Sequence, residues 1–158
     1  MGENISGDVS DALDILAHAA IFHDTRRQDE CLDTGHGARA AVYYEQFCRD
    51  NGDIEFHPES AFLMRYHDLD DAVGKDAIRK HFGVESDRML KLYAIFKDAD
   101  ALDRWRLGSK GLDPKFLRTD KARSMTDYSH RIVKETIPAE LLNKIEEAVN
   151  ELVSGHDK

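Results

Sequence analysis

The stretch LAHAAIF (16–22), followed by His23-Asp24, the polar run TRRQDECLDTG (25–35) and His36, decides how the rest of the chain is read. Leu16, Ala19 and Ala20 recur at helical spacing, so a helix is expected to end on the His-Asp pair. A loop of turn-forming residues then carries the chain to a second histidine. Two more groups of the same chemical kind stand further along, His67 and Asp100.

Working outward, helix signals dominate and no alternating strand pattern emerges. The first helix is expected over Val9 to Phe22, with Val9, Ala12, Leu13, Leu16, Ala19 and Ala20 inside. Thr34 is the expected cap of a second helix that runs to Arg49, where Asn51-Gly52 stops it. Pro58 suits the first position of a third, PESAFLMRYH. A short helix over Lys75 to Phe82 ends at Gly83, and Ser86 is expected to cap a long one reaching Leu107. The segment LDPKFLRT reads as a turn or short helix. Two last helices are expected over 121–135 and 138–153, the latter with a stripe of Leu141, Ile145, Ala148 and Leu152. The expectation is all-α: one domain over 1–158, a compact bundle of about six to seven helices.

Composition narrows the function. The 158 residues are 41% hydrophobic and 34% charged, enough for a sizeable core and too apolar for a disordered chain. A net charge of −9 argues against a general nucleic-acid surface. No apolar run is long enough to span a bilayer, and MGENISGDVSDAL lacks the pattern of a signal peptide. Cys31 and Cys48 form no CxxC motif, so reduced thiols in a cytoplasm are expected.

On the expected helices, residues three and four apart share a face. His23 follows Leu16, Ala19 and Ala20; His36 leads to Ala40; His67 follows Leu63 and Met64; Asp100 follows Met89, Tyr93 and Phe96. Each therefore falls on a core-facing stripe, where an unpaired carboxylate is costly. A divalent cation is the simplest shared partner: imidazoles supply nitrogen, carboxylates oxygen and charge. Taken singly each residue has a plainer account. A lone buried histidine is more often a hydrogen-bonded core residue, Asp24 can cap the loop, and Asp100 can pair with Arg104. Asp68, Asp70 and Asp71 read as a solvated loop face, and His18, His57, His81, His130 and His156 as structural or solvated.

Four of these segments, in this order, resemble the HD superfamily of metal-dependent phosphohydrolases. AAIFHDTRR is similar to that family's His-Asp helix end, and DTGHGARAA to the segment that supplies a histidine in two-metal members. FLMRYHD resembles the segment carrying the next histidine. KDADALDRWRLG resembles the closing Ala-Asp-x-Leu motif, which selects Asp100 over Asp98 and Asp103. The resemblance implies an all-α HD-like domain that hydrolyses a phosphoester, often a nucleotide, with a divalent metal: manganese, iron, magnesium, cobalt, nickel or zinc. It implies metal ligands at His23, Asp24 and Asp100, with His36 and His67 for a second metal. Asp24 also orients or deprotonates the attacking water, and Arg27 lies where some members hold phosphate. Arg26, Lys115 and Arg118 are further expected contacts to a small phosphorylated substrate.

The family's upstream ligand histidine has no counterpart. Nothing before His18 is a histidine, and His18 lies five residues before His23, roughly 140° around the same helix. The expectation is an N-terminally shortened domain with weak hydrolysis and a homodimer covering the exposed apolar face. The alternative is a degenerate, non-catalytic HD domain that binds a nucleotide or a partner protein.

Overall fold

Three-and-four spacing of small and aromatic residues builds the helices that carry the His and Asp groups. The computed structural model describes residues 5–29 and 33–154, and among them there is no strand. The all-α expectation is what the structure shows. The helices are α1 (Ile5–Phe22), α2 (His36–Asp50), α3 (Pro58–His67), α4 (Asp71–Phe82), α5 (Ser86–Asp103), α6 (Asp120–Ser124), α7 (Thr126–Thr136) and α8 (Ala139–Ser154). The chain divides into two compact units, one through Phe96 and the other from Lys97. Cys31 lies outside the described residues; Cys48 is a buried free thiol. No described helix is long and apolar enough to cross a membrane.

In the first unit α3 packs against both α1 and α2. The core joins Ile15 and Ala19 of α1, Ala41 and Tyr44 of α2, and Leu63 and Met64 of α3 to Ile78, Met89, Tyr93 and Phe96. The buried stripe of α1 is the expected one in part. Ala19 is fully buried and Ala12 and Leu16 pack against the core, but Ile15, not among the expected residues, is fully buried, whereas Val9 and Leu13 are 55% and 62% exposed. The buried hydroxyl of Ser60 donates to the Ile15 carbonyl at 2.8 Å and ties α1 to α3 on that face. A count of apolar residues along one helix does not contain it.

Two helix starts also moved. Thr34 does not cap α2; Gly35 does, at φ 92°, a conformation that favours glycine. It offers no side chain, and its N–H is taken by the Asp68 carboxylate of the loop after α3. α4 begins at Asp71 rather than Lys75, because Asp70 caps it by accepting from the Ala72 N–H at 2.7 Å. The acidic run 68–71 is therefore not one solvated face: Asp70 is a cap and the Asp68 side chain is buried.

The second unit is pinned by Asp98, which is 2% exposed. Its two oxygens accept from the backbone N–H groups of Arg118 and Thr119, each at 2.8 Å, and from the Thr119 hydroxyl at 2.8 Å. The Arg118 guanidinium adds a contact at 3.3 Å. Thr119 in turn caps α6. The helix expected over 121–135 is broken at Met125, where the Thr126 hydroxyl bonds back to the Arg123 carbonyl. On α8 Leu141 is half exposed, and the Ala148 and Leu152 side chains lie outside the described residues. A cleft of about 320 Å³ in this unit is walled by Trp105, His130, Lys134 and Asn143.

Candidate metal centre

The site forms where α1 ends, α2 begins and α3 ends. The His23 N–H still bonds to the Ala19 carbonyl, and the turns Thr25 to Phe22 and Arg27 to Asp24 close the helix just beyond the His-Asp pair. Asp33 straps the loop down. It accepts both its contacts from Arg39 at 2.5 Å and a third from the Gln28 N–H at 2.6 Å, while Arg39 also donates to the Arg26 carbonyl. The Arg39 guanidinium and that N–H hold the Asp33 carboxyl below the usual carboxylate range.

Close approach of α2 to α3 then sets His36 beside His67. A Cβ built on Gly37 would stand 2.2 Å from the Met64 carbonyl oxygen, so only glycine permits this packing. Nε2 of His36 lies 2.9 Å from Nε2 of His67 and 3.0 Å from Oδ1 of Asp24. Nε2 of His67 is 3.7 Å from Oδ1 of Asp24, and Nε2 of His23 is 3.8 Å from Oδ2. Ligand atoms of His23, Asp24 and His67 all fall within 4.8 Å of one another. His36 and His67 are buried, while His23 and Asp24 are half-buried. The Phe96 ring meets His23 and His67 edge-on at centroid distances of 5.6 and 5.9 Å and closes the apolar side.

The second nitrogen of each ring determines what the first can do. Nδ1 of His23 lies 2.8 Å from the Ala20 carbonyl, that of His36 2.6 Å from the Asp33 carbonyl, and that of His67 2.7 Å from the Met64 carbonyl. A carbonyl only accepts, so each Nδ1 carries the proton and each neutral ring presents a lone pair at Nε2. Three such lone pairs meet a carboxylate that also only accepts. With all three rings neutral and no cation between them, the 2.9 Å Nε2–Nε2 contact sets lone pair against lone pair. Ligands sharing one ion at ~2.1 Å sit ~3.0–3.4 Å apart, close to the two shortest separations here. The residues present therefore fit a divalent metal with mixed nitrogen and oxygen ligands. The Arg27 guanidinium, 3.7 Å away, favours the ionised form of the Asp24 carboxyl. His36 is nearer to Asp24 than His67 is, at 3.0 against 3.7 Å.

The other expected site residues are placed as follows. Arg27 lies 3.7 Å from Asp24 on the exposed side of the cluster. Arg26 stacks on the Tyr43 ring at 3.7 Å. Asp100, Lys115 and Arg118 belong to the second unit: Asp100 is half-buried on α5, Lys115 is exposed and pairs with Asp113, and Arg118 meets Asp98. His18 is not part of the cluster. It shares a 2.6 Å hydrogen bond with the Tyr44 hydroxyl and stacks edge-on against His57. Sequence reasoning missed Asp68, Asp33 and Arg39. Glycines on both sides of His36 were the available signal that another backbone comes close there.

By fold the chain is an all-α protein. No family model matches it, and neither a curated protein nor a solved structure does.

Proposed function

We propose that this chain is a metal-dependent phosphohydrolase of the HD type, acting on a small phosphoester such as a nucleotide. The observation that carries the reading is the set of three imidazoles, each with Nδ1–H on a backbone carbonyl, that turn Nε2 toward the Asp24 carboxylate. Ligating histidines are held in this way, their other N–H fixed by a carbonyl or carboxylate. When bound, a divalent metal lowers the pKa of a coordinated water and polarises a phosphoryl oxygen. His23, His36 and His67 orient it and contribute no net charge in their neutral form. Asp24 would supply negative charge and a hydrogen-bond acceptor for the attacking water. Arg27 offers a forked cation to the phosphate from the open side. Phe96 excludes water from the apolar side. The reading rests on the three imidazoles and Asp24 of the first unit; a ligand role for Asp100, in the second, is only what the resemblance of its motif implies.

Cytoplasmic placement belongs to the same proposal, in keeping with the free thiol of Cys48. So does self-association through α1, where Val9, Leu13 and Ile21 are exposed at intervals of four and eight residues. Light scattering should show a dimer that Leu13→Gln with Ile21→Gln splits; a monomeric parent removes this part.

The test of the main reading is metal analysis of the purified chain, then phosphate release from a panel of esters with manganese, magnesium, iron, cobalt, nickel or zinc. Release should need added metal, stop with chelator, and be lost in Asp24→Ala. Metal-independent turnover sinks the mechanism. Metal binding with no turnover on any ester favours the non-catalytic binding reading instead.

A further inference from the structure

Asp68 follows His67 directly, yet its carboxyl turns back under the start of α2 and its side chain is only 5% exposed. Oδ2 accepts the Gly35 N–H and lies 3.6 Å from Nδ1 of His36. Oδ1 is buried with no hydrogen-bond partner among the described residues. Around it stand the Gly37 backbone, where an added Cβ would be 2.8 Å from Oδ1, and the His67 ring. No lysine or arginine pairs with it among the described residues. An ionised carboxylate so placed is costly, and native structures rarely leave half of one unused.

We infer that Asp68 is a positioning residue for the metal centre: with the Asp33 carbonyl it holds the Nδ1–H side of His36, and its buried negative charge is balanced by the cation bound at Nε2. The inference rests on the metal reading above. Two carboxylates then serve the centre in different ways. Asp24 faces the ligand atoms, whereas Asp68 stands 3.6 Å behind the His36 ring, beyond hydrogen-bond reach, and acts on it through its charge and through the Gly35 N–H. Its bond to the Gly35 N–H adds a second constraint, because it fixes the turn that starts α2 and so the position of His36 along the helix. A role in that turn alone would need only an acceptor oxygen, not a charge. The two roles therefore separate in experiment.

The decisive measurement is manganese and cobalt titration of the full chain by calorimetry, with the visible spectrum of the cobalt form and thermal melting without metal. Asp68→Asn keeps the shape and an acceptor for Gly35 but removes the charge; Asp68→Ser keeps an acceptor in a smaller side chain. Both should weaken metal binding by about 10- to 100-fold and change the cobalt spectrum. The melting temperature of metal-free Asp68→Asn should stay level or rise, since an uncompensated buried charge is gone. Metal affinity within twofold of the parent in Asp68→Asn overturns the role of Asp68 while leaving the metal reading intact. So does a metal-free melting temperature that falls in both variants in step with affinity, which marks a purely structural contact. A parent chain that binds neither metal overturns the inference together with the reading beneath it.

Discussion

Asp98 and Asp24 are both carboxylates joined to nearby helices, but their surroundings are opposite. Asp98 is buried and saturated: two backbone N–H groups, a hydroxyl and a guanidinium converge on its two oxygens. Asp24 is half-buried and faces three imidazole nitrogens whose own protons point elsewhere. Saturation is what a structural carboxylate needs, because every unpaired acceptor in the interior costs free energy. A group meant to hold an ion keeps acceptors aimed at a common point and accepts that cost. Asp98 and Asp100 lie two residues apart in the same motif, KDADALD, so residue type alone cannot separate the two roles.

The largest effect that tests this contrast is on folding. Asp98→Ala leaves four donors without their acceptor and should lower stability by about 3–5 kcal/mol in urea denaturation. Asp24→Ala should change metal-free stability by less than about 1 kcal/mol, since no donor is orphaned. Equal losses in the two variants would erase the distinction.

Metal sharpens the contrast from the other side. At 100 times its dissociation constant a bound divalent ion should stabilise the parent by about 2.7 kcal/mol. Asp24→Ala should lose that increment in a melting assay, and Asp98→Asn, less stable throughout, should keep it.

Tyr44 provides a third buried group, neutral and fully engaged. Its hydroxyl accepts from the His57 N–H at 3.0 Å and shares the bond to His18, and burial pushes its pKa from 10 up to about 12. The folded state thus holds the proton more tightly than the unfolded one. The resulting stability is complete below pH 10 and is lost as pH rises through 10 toward about 12, up to ~2.7 kcal/mol in all. Denaturation at pH 9 and near 11.5 should show this loss in the parent and not in Tyr44→Phe, after subtraction of the changes common to both.

The smallest effect concerns Arg27, which is exposed and only 3.7 Å from Asp24. Arg27→Ala should raise KM for a phosphoester about 10-fold with kcat little changed, because one charge-assisted contact to phosphate is lost. A fall in kcat with KM unaltered would move Arg27 from binding to the chemical step.

Periodicity, caps and stops in the sequence determined the helical class and several boundaries, because those signals are local. Pro58 opens α3 and Gly108 follows the last turn after α5, where their backbone preferences put them. Apolar stripes in the sequence pointed to His23, His36 and His67, which the structure brings together beside Asp24, and equally to Asp100, which belongs to the second unit. Tertiary structure alone decided that Ile15 rather than Leu13 is buried on α1, where the Ser60 hydroxyl meets the Ile15 carbonyl. It alone showed that the Asp68 side chain is buried beneath α2 while Asp70, two residues on, caps α4. The direction of each imidazole was equally beyond the sequence. A ring's tautomer depends on which carbonyl lies within reach of Nδ1, and for His36 that choice depends on a loop, an Arg39 strap and the glycine contact of two helices. Spacing along one chain fixes which residues share a face; the distances between faces follow only when the helices pack.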